Sequence, residues 1–276
     1  MPIPDYIRST PEPRTRASLG ADLRQLGLAA GDVVIVHSSL KSIGYISGGP
    51  MALLQALMDV LTDRGTLVMP AHSGNLSDPA NWENPPVPAA WWPVIRQHMP
   101  AFDPARTPTS GIGWAAEQFR TWPNVLRSHH PAVSFAAWGA QAAAITAGHS
   151  LDFGLGERSP LARLYELDAR VLLLGAPHGS NTSFHLGEYR ATGAVETEEA
   201  APMMLDGRRQ WRAYRELEFH EELFDELGAA FEAEQPPIVG PVGSAMARLF
   251  PQRACVDFAA AWIGRWRTGS GSQPDG

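Results

Sequence analysis

The sequence predicts a layered α/β fold, on three observations: a stretch of helical period leads into a short apolar run at residues 15–37, again at 50–70 and again at 159–177. Alternation of that kind buries one stripe of each helix against a sheet. In the first unit TRASLGADLRQLGL spaces its apolar residues one helical turn apart, AAGD breaks the pattern, and VVIVH supplies a buried strand. In the second, Pro50 suits a first helical turn, MALLQALMDVL is strongly apolar, and DRG leads into TLVMP. SPLARLYELDARVLLLGAP repeats helix, turn and strand. Residues 71–110, rich in Pro, Trp, Asn and Ser, read as a long ordered loop with one short helix, tied down by Trp82, Trp91 and Trp92. Cys255, in RACVDF, is expected on a buried strand near the end of the fold. TGSGSQPDG has the composition of a disordered tail, so residues 1–267 are expected to form one domain and 268–276 to lie outside it.

Composition narrows the function. At 276 residues, 44% hydrophobic and 18% charged, the chain has the size of a soluble enzyme. The opening MPIPDYIRSTPEPR has no apolar core of signal-peptide length, and no later run reaches the roughly 18 apolar residues of a membrane helix; a cytoplasmic protein without a membrane partner is expected. One cysteine excludes an internal disulfide and any multi-cysteine zinc site. A formal charge of −7 without a Lys/Arg cluster argues against nucleic acid and suits a cationic ligand.

Several motifs carry chemistry, each beside a plainer reading. Residues 111–116 match the G-x-G-x-x-A turn of dinucleotide sites, but PARTPTS precedes them where that turn needs a strand. Their glycines instead open a helix whose free N–H groups, with Thr109 and Ser110, would meet an anion. HSSLKSIGYISGG follows a strand and gathers hydroxyls and glycines, either as a cradle for a phosphate or pantetheine chain or as an ordinary capped loop. In NTSFHLGE, a helix capped by Asn181 would set His185 and Glu188 three residues apart on one face. A metal site, a general base oriented by an acid and a structural histidine all remain open there; no second histidine stands at ligand spacing, so no metal is expected. The His129–His130 pair enters a strand and reads as incidental, and no G-x-S-x-G elbow supports a serine hydrolase. ELEFHEELFDE reads as an amphipathic helix with a solvated acidic face, except that Glu216 and Glu218 at its start would reach a pocket and hold ammonium groups.

Seven segments in order, VVIVHSSLKSIG, GTLVMPAHSG, ENPP, TPTSGIG, RSHHPAVSF, LLLGAPHGSNTSFHLGE and GPVGSAMARLF, resemble the aminoglycoside 3-N-acetyltransferase, or antibiotic N-acetyltransferase, family. The resemblance implies a three-layer α/β/α fold around a mixed sheet, acetyl-coenzyme A as co-substrate and a polycationic aminoglycoside as acceptor, the product being a 3-N-acetylated, inactivated antibiotic. It implies that Ser38, Ser39, Leu40, Ser42, Thr109 and Gly111 line the coenzyme site and that His185 is the catalytic histidine. Glu216 and Glu218 match the family's acidic pair, whose second member is often Asp; with Asp78 they form the expected substrate-binding set. Glu188 or Glu218 would orient the His185 ring. A homodimer, a different amine acceptor and a coenzyme-binding homologue without resistance activity stay open.

Overall fold

The computed structural model describes residues 3–270. Its sheet begins with β1 (Val33–Ser38), β2 (Thr66–Pro70), β3 (Leu126–Arg127), β4 (Phe135–Gly139) and β5 (Arg170–Leu174). A hairpin of β6 (Glu196–Leu205) and β7 (Arg208–Leu217) follows, then β8 (Ile238–Val242) and β9 (Ala245–Pro251). Seven strands form one mixed sheet in the order β3-β4-β2-β1-β5-β9-β8, with β1 parallel to β2 and β5 and the outer pairs antiparallel. The β6–β7 hairpin is a separate two-stranded sheet. Its link, Asp206 at φ 50° and Gly207 at φ 72°, has the backbone of a tight Asp-Gly turn.

Alternation along each strand divides the interior into two cores. Val34, Val36, Leu172 and Leu174 pack with Leu19, Leu53 and Leu57 from the helices Arg16–Gln25 and Gly49–Leu61. Ile35, Val68, Val171 and Leu173 face the other way, onto Leu161, Phe184, Leu227 and Val256 from the helices Pro160–Glu166, Ser183–Arg190, Phe224–Glu234 and Gln252–Ser270. The layers are therefore helix, sheet, helix.

The helix Arg16–Gln25 starts on a reciprocal cap: the Thr15 hydroxyl accepts from Ser18 N–H, and the Ser18 hydroxyl accepts from Thr15 N–H. Thr15→Ala should cost about 1 kcal/mol, read as a lower denaturant midpoint at unchanged slope. An unchanged midpoint would show that packing of Leu19 and Leu23 alone holds this end.

Four expectations need correction. RACVDF is not a strand but the start of the helix Gln252–Ser270; its buried residues, Cys255, Val256, Ala259 and Ile263, recur at helical spacing beyond the six-residue window. ELEFHEELFDE is not one helix: Glu216 and Leu217 end β7, Glu221–Leu223 form a single 3₁₀ turn, and only Phe224 onward is α-helical. Residues 71–110 do carry the one short α-helix expected, Trp92–His98, beside two 3₁₀ turns, but not three anchoring tryptophans. Of their tryptophans, Trp82 donates to the Ser77 hydroxyl while Trp91 is exposed. Lastly, the C-terminal helix continues through Ser270, so residues 268–270 of the expected tail are helical; 271–276 lie outside the described residues.

Candidate active site

β1 and β5 are parallel neighbours whose carboxyl ends send the chain to opposite faces of the sheet. After Ser38 it turns toward the Gly49–Leu61 layer, and after Leu174 toward Ser183–Arg190. A crevice opens at such a switch point. Here it is a cavity of about 830 Å³.

One wall is the turn after β1. Ser38, Ser39, Leu40 and Lys41 line it, and the Ser39 hydroxyl caps the short helix Leu40–Ile43 by accepting from Ser42 N–H and the Ser42 hydroxyl. Opposite stand Gly111, Ile112 and Gly113. Gly111 and Gly113 sit at φ 75° and 79°, where a side chain is strained, and a Cβ on either would meet open space. Thus the serine turn and the glycine turn, 70 residues apart, share one cavity. Ser42 and Thr109 stand behind the walls. The Ser42 hydroxyl is turned to Ser39, while Thr109 gives both its N–H and its hydroxyl to Glu117, which Arg120 neutralises. Both residues brace the turns that carry the lining groups.

His185 closes the inner end. It lies on the helix Ser183–Arg190, entered through Thr182 at the cap position, one residue after the expected Asn181, whose side-chain oxygen accepts from Ser183 N–H. Glu188, one turn on, is fully buried; its Oε2 lies 2.7 Å from His185 Nδ1 and its Oε1 accepts from His220 N–H. Phe219 and Phe224 pack on the imidazole with centroids at 4.6 and 4.9 Å. On the far side, Glu221 Oε1 lies 3.2 Å from Nε2. Burial alone would push the imidazole pKa down, but hydrogen bonds and charge attraction from Glu188 and Glu221 outweigh it and raise it to about 9.

Two further imidazoles line the cavity. His37, next to last on β1, approaches the Thr182 hydroxyl at 3.4 Å; His72 follows β2 and sets its ring edge-on to Phe135. Burial, reinforced by the His185 charge, pushes each down to about 3, so both are neutral at physiological pH.

The expected acidic set is dispersed. Glu216, on β7, turns inward and accepts from Gly154 N–H, Leu217 N–H and the Tyr189 hydroxyl, and burial raises its carboxyl pKa to about 7 against those hydrogen bonds. Glu218 is exposed beyond the strand end. Asp78 caps a 3₁₀ turn and is held bidentately by Arg96. None of the three lines the cavity; Glu221 does. His37 and Lys41 belong to the HSSLKSIGYISGG cradle without a role of their own there, and neither His72 nor Glu221 is among the residues assigned a role from the sequence. Polar residues directly after the apolar runs VVIV and TLVMPA were an available signal for the histidines, since parallel strands present their carboxyl ends to a site. Lys41, the sole lysine of the sequence, was another.

A family model described as aminoglycoside 3-N-acetyltransferase matches residues 35–264. The chain is 52% identical over 258 residues, 93% of its length and 95% of the relative's, to the SPbeta prophage-derived aminoglycoside N(3')-acetyltransferase-like protein YokD of Bacillus subtilis (strain 168). It is 35% identical to aminoglycoside N(3)-acetyltransferase VII of Streptomyces paromomycinus, covering 93% of this chain and 94% of that one. The crystal structure of YokD superposes with a TM-score of 0.94 over 98% of this chain and 99% of that chain, at 50% identity. A solved AAC-IIIb binary complex with CoASH does so with a TM-score of 0.83 over 92% and 98%, at 34% identity.

Proposed function

This chain belongs to the aminoglycoside 3-N-acetyltransferase family and is an acyltransferase; from that premise we propose that it transfers acetyl from acetyl-coenzyme A to the 3-amino group of a 2-deoxystreptamine aminoglycoside, with His185 as general base. In balance, R–NH3⁺ and CH3CO–S–CoA yield R–NH–COCH3, CoA–SH and H⁺. One observation carries the reading: an imidazole backed by a buried carboxylate stands at the inner end of a cavity whose outer walls, Ser38–Lys41 and Gly111–Gly113, suit a long anionic chain. The cavity fits coenzyme A in size, in its open glycine wall and in the Lys41 ammonium. Acetyl-coenzyme A, when bound, supplies the activated acyl group.

What the chain's own residues do follows from proton positions. Glu188 accepts from Nδ1–H, so in its neutral form the ring keeps that proton and presents the Nε2 lone pair to the cavity. An ammonium has no lone pair to attack with; Nε2 takes the proton that must leave the nitrogen, and Glu188 stabilises the imidazolium that results. In this reading the serine turn, which lines the same cavity, would stabilise charge on the thioester oxygen. Lys41→Ala should raise the KM for acetyl-coenzyme A about three- to fivefold at nearly unchanged kcat, the worth of ~1 kcal/mol for an exposed charge pair. A change in the aminoglycoside KM alone would place Lys41 on the acceptor instead.

A second reading, the same transfer to a different amine, is favoured by one feature: Asp78 is occupied by Arg96, and Glu216 by Tyr189 and two backbone amides. Thiol release from acetyl-coenzyme A, measured against gentamicin, apramycin and simple di- and polyamines, decides. Turnover confined to aminoglycosides supports the first reading and a cytoplasmic resistance role; turnover confined to other amines replaces it. Among the described residues no helix is long and apolar enough to cross a membrane.

A further inference from the structure

Both nitrogens of His185 face carboxylates, and the two carboxylates differ in kind. Glu188 is enclosed and held at its second oxygen by His220 N–H. Glu221 sits on the one-turn segment Glu221–Leu223, its side chain 65% exposed, at the cavity wall. An imidazole that donates from both nitrogens has no lone pair, so in this arrangement it cannot receive a proton. Phe219 and Phe224 pack on the ring and Glu188 holds Nδ1, while Glu221 meets Nε2 from the cavity wall.

The charged and titratable groups around the ring come from five elements. Glu188 stands on its own helix, Glu221 on the turn, His37 on β1, His72 after β2 and Glu216 on β7. His37 and His72 are neutral, and Glu216 is committed to Tyr189, Gly154 and Leu217. Of the two carboxylates touching the ring, Glu221 is the one free to leave.

We propose that Glu221 is a displaceable gate: it holds His185 Nε2 in the acceptor-free enzyme and moves onto an ammonium group of the arriving acceptor, exposing that nitrogen for proton transfer. The step rests on the proposed acetyl transfer. On displacement the Nε2 proton passes to water at the exposed carboxylate, and the ring keeps Nδ1–H against Glu188. The acceptor must then carry a second ammonium near the reacting nitrogen, one for Glu221 and one to be acetylated, so a polyamine is preferred over a monoamine. A cation beside the ring further disfavours the imidazolium, which reinforces the opening.

The test is an NMR titration of ¹³C-labelled histidine, comparing wild type, Glu221→Gln and the neighbouring control Glu222→Gln, with and without gentamicin, whose binding is measured separately by calorimetry. Without gentamicin, the His185 midpoint in Glu221→Gln should fall by about 1 pH unit or more below wild type, the effect of removing one adjacent opposite charge, and Glu222→Gln should match wild type. Gentamicin should lower the wild-type midpoint, and lower that of Glu221→Gln by less, since only the direct effect of the cation remains there. Equal midpoints in the acceptor-free proteins overturn the gate. So does gentamicin that binds and is acetylated yet leaves the wild-type midpoint in place, an outcome that spares the proposed function. Gentamicin that fails to bind, with the acceptor-free difference intact, removes the aminoglycoside reading and the displacement together.

Discussion

His185→Ala is expected to fold, to bind acetyl-coenzyme A and to lose roughly 10²- to 10⁴-fold in kcat, the usual worth of general-base help. The loss should fall on kcat rather than on either KM, because the ring forms the inner end of the cavity while the serine and glycine turns form its walls. Removing the imidazole leaves the Glu188 carboxylate buried with only the His220 amide for a partner, which threatens stability. His185→Gln, which keeps an N–H donor for Glu188 but no base, separates the two effects. Either variant folded and turning over within about threefold of wild type would place the base elsewhere. His130 is then poorly suited: its Nδ1 accepts from Ala132 and Val133 N–H, its Nε2 meets Leu151 O, and it does not line the cavity.

The same ring sets the pH dependence. With its pKa raised to about 9, His185 is charged at neutral pH in the acceptor-free enzyme, so kcat/KM should climb as pH rises toward 9, and His185→Ala should lose that limb. Stability runs the other way. A histidine whose folded pKa exceeds its ordinary 6.5 contributes stability that is fully present below about 6.5 and is lost as pH rises through about 9. Activity and the stability of the His185 pair are therefore expected to trade against each other across this window.

Much of the fold was legible because local signals and tertiary outcome agree. In residues 15–37 and 50–70 the helical period, the short break containing Gly and Asp, and the apolar strand all fit the layers observed. Where one signal served two structures, reading failed. ACV and the residues around it are apolar enough for a strand, and only the continuing spacing to Ile263 marks a helix. The β6–β7 hairpin carries polar faces on an excursion from the main sheet, so its strands lack apolar alternation; Asp206–Gly207 was its one strong sign. In the site, i to i+3 spacing was enough to pair His185 with Glu188, because both lie on one helix. Glu221 was hidden among six acids, and its approach to His185 depends on β7 ending at Leu217 and the chain turning before Phe224, which residue spacing does not encode.

Glu188→Gln tests the support behind the base, and its expected effect follows from donor and acceptor geometry. Glu188 uses two oxygens at once, Oε2 for His185 Nδ1–H and Oε1 for His220 N–H. A carboxamide offers one oxygen and one NH2, so it cannot accept both bonds. If the oxygen faces His220, the NH2 faces Nδ1, the neutral ring shifts its proton to Nε2, and the lone pair turns away from the acceptor. If the oxygen faces His185, the NH2 opposes the His220 amide at a fully buried position, which costs about 1 to 3 kcal/mol. The first arrangement leaves the fold intact, and kcat should fall by about 10²-fold or more, up to the ~10⁴ seen when a buried carboxylate behind a catalytic histidine is amidated. The pH limb supplies a readout that a merely structural role would not move: without the Glu188 charge its midpoint should fall from about 9 toward 6.5. Thermal stability should fall most below pH 6.5, where the wild-type ion pair is complete. A folded Glu188→Gln enzyme with kcat within about threefold of wild type and an unmoved limb would show that Glu188 only fills space behind the ring.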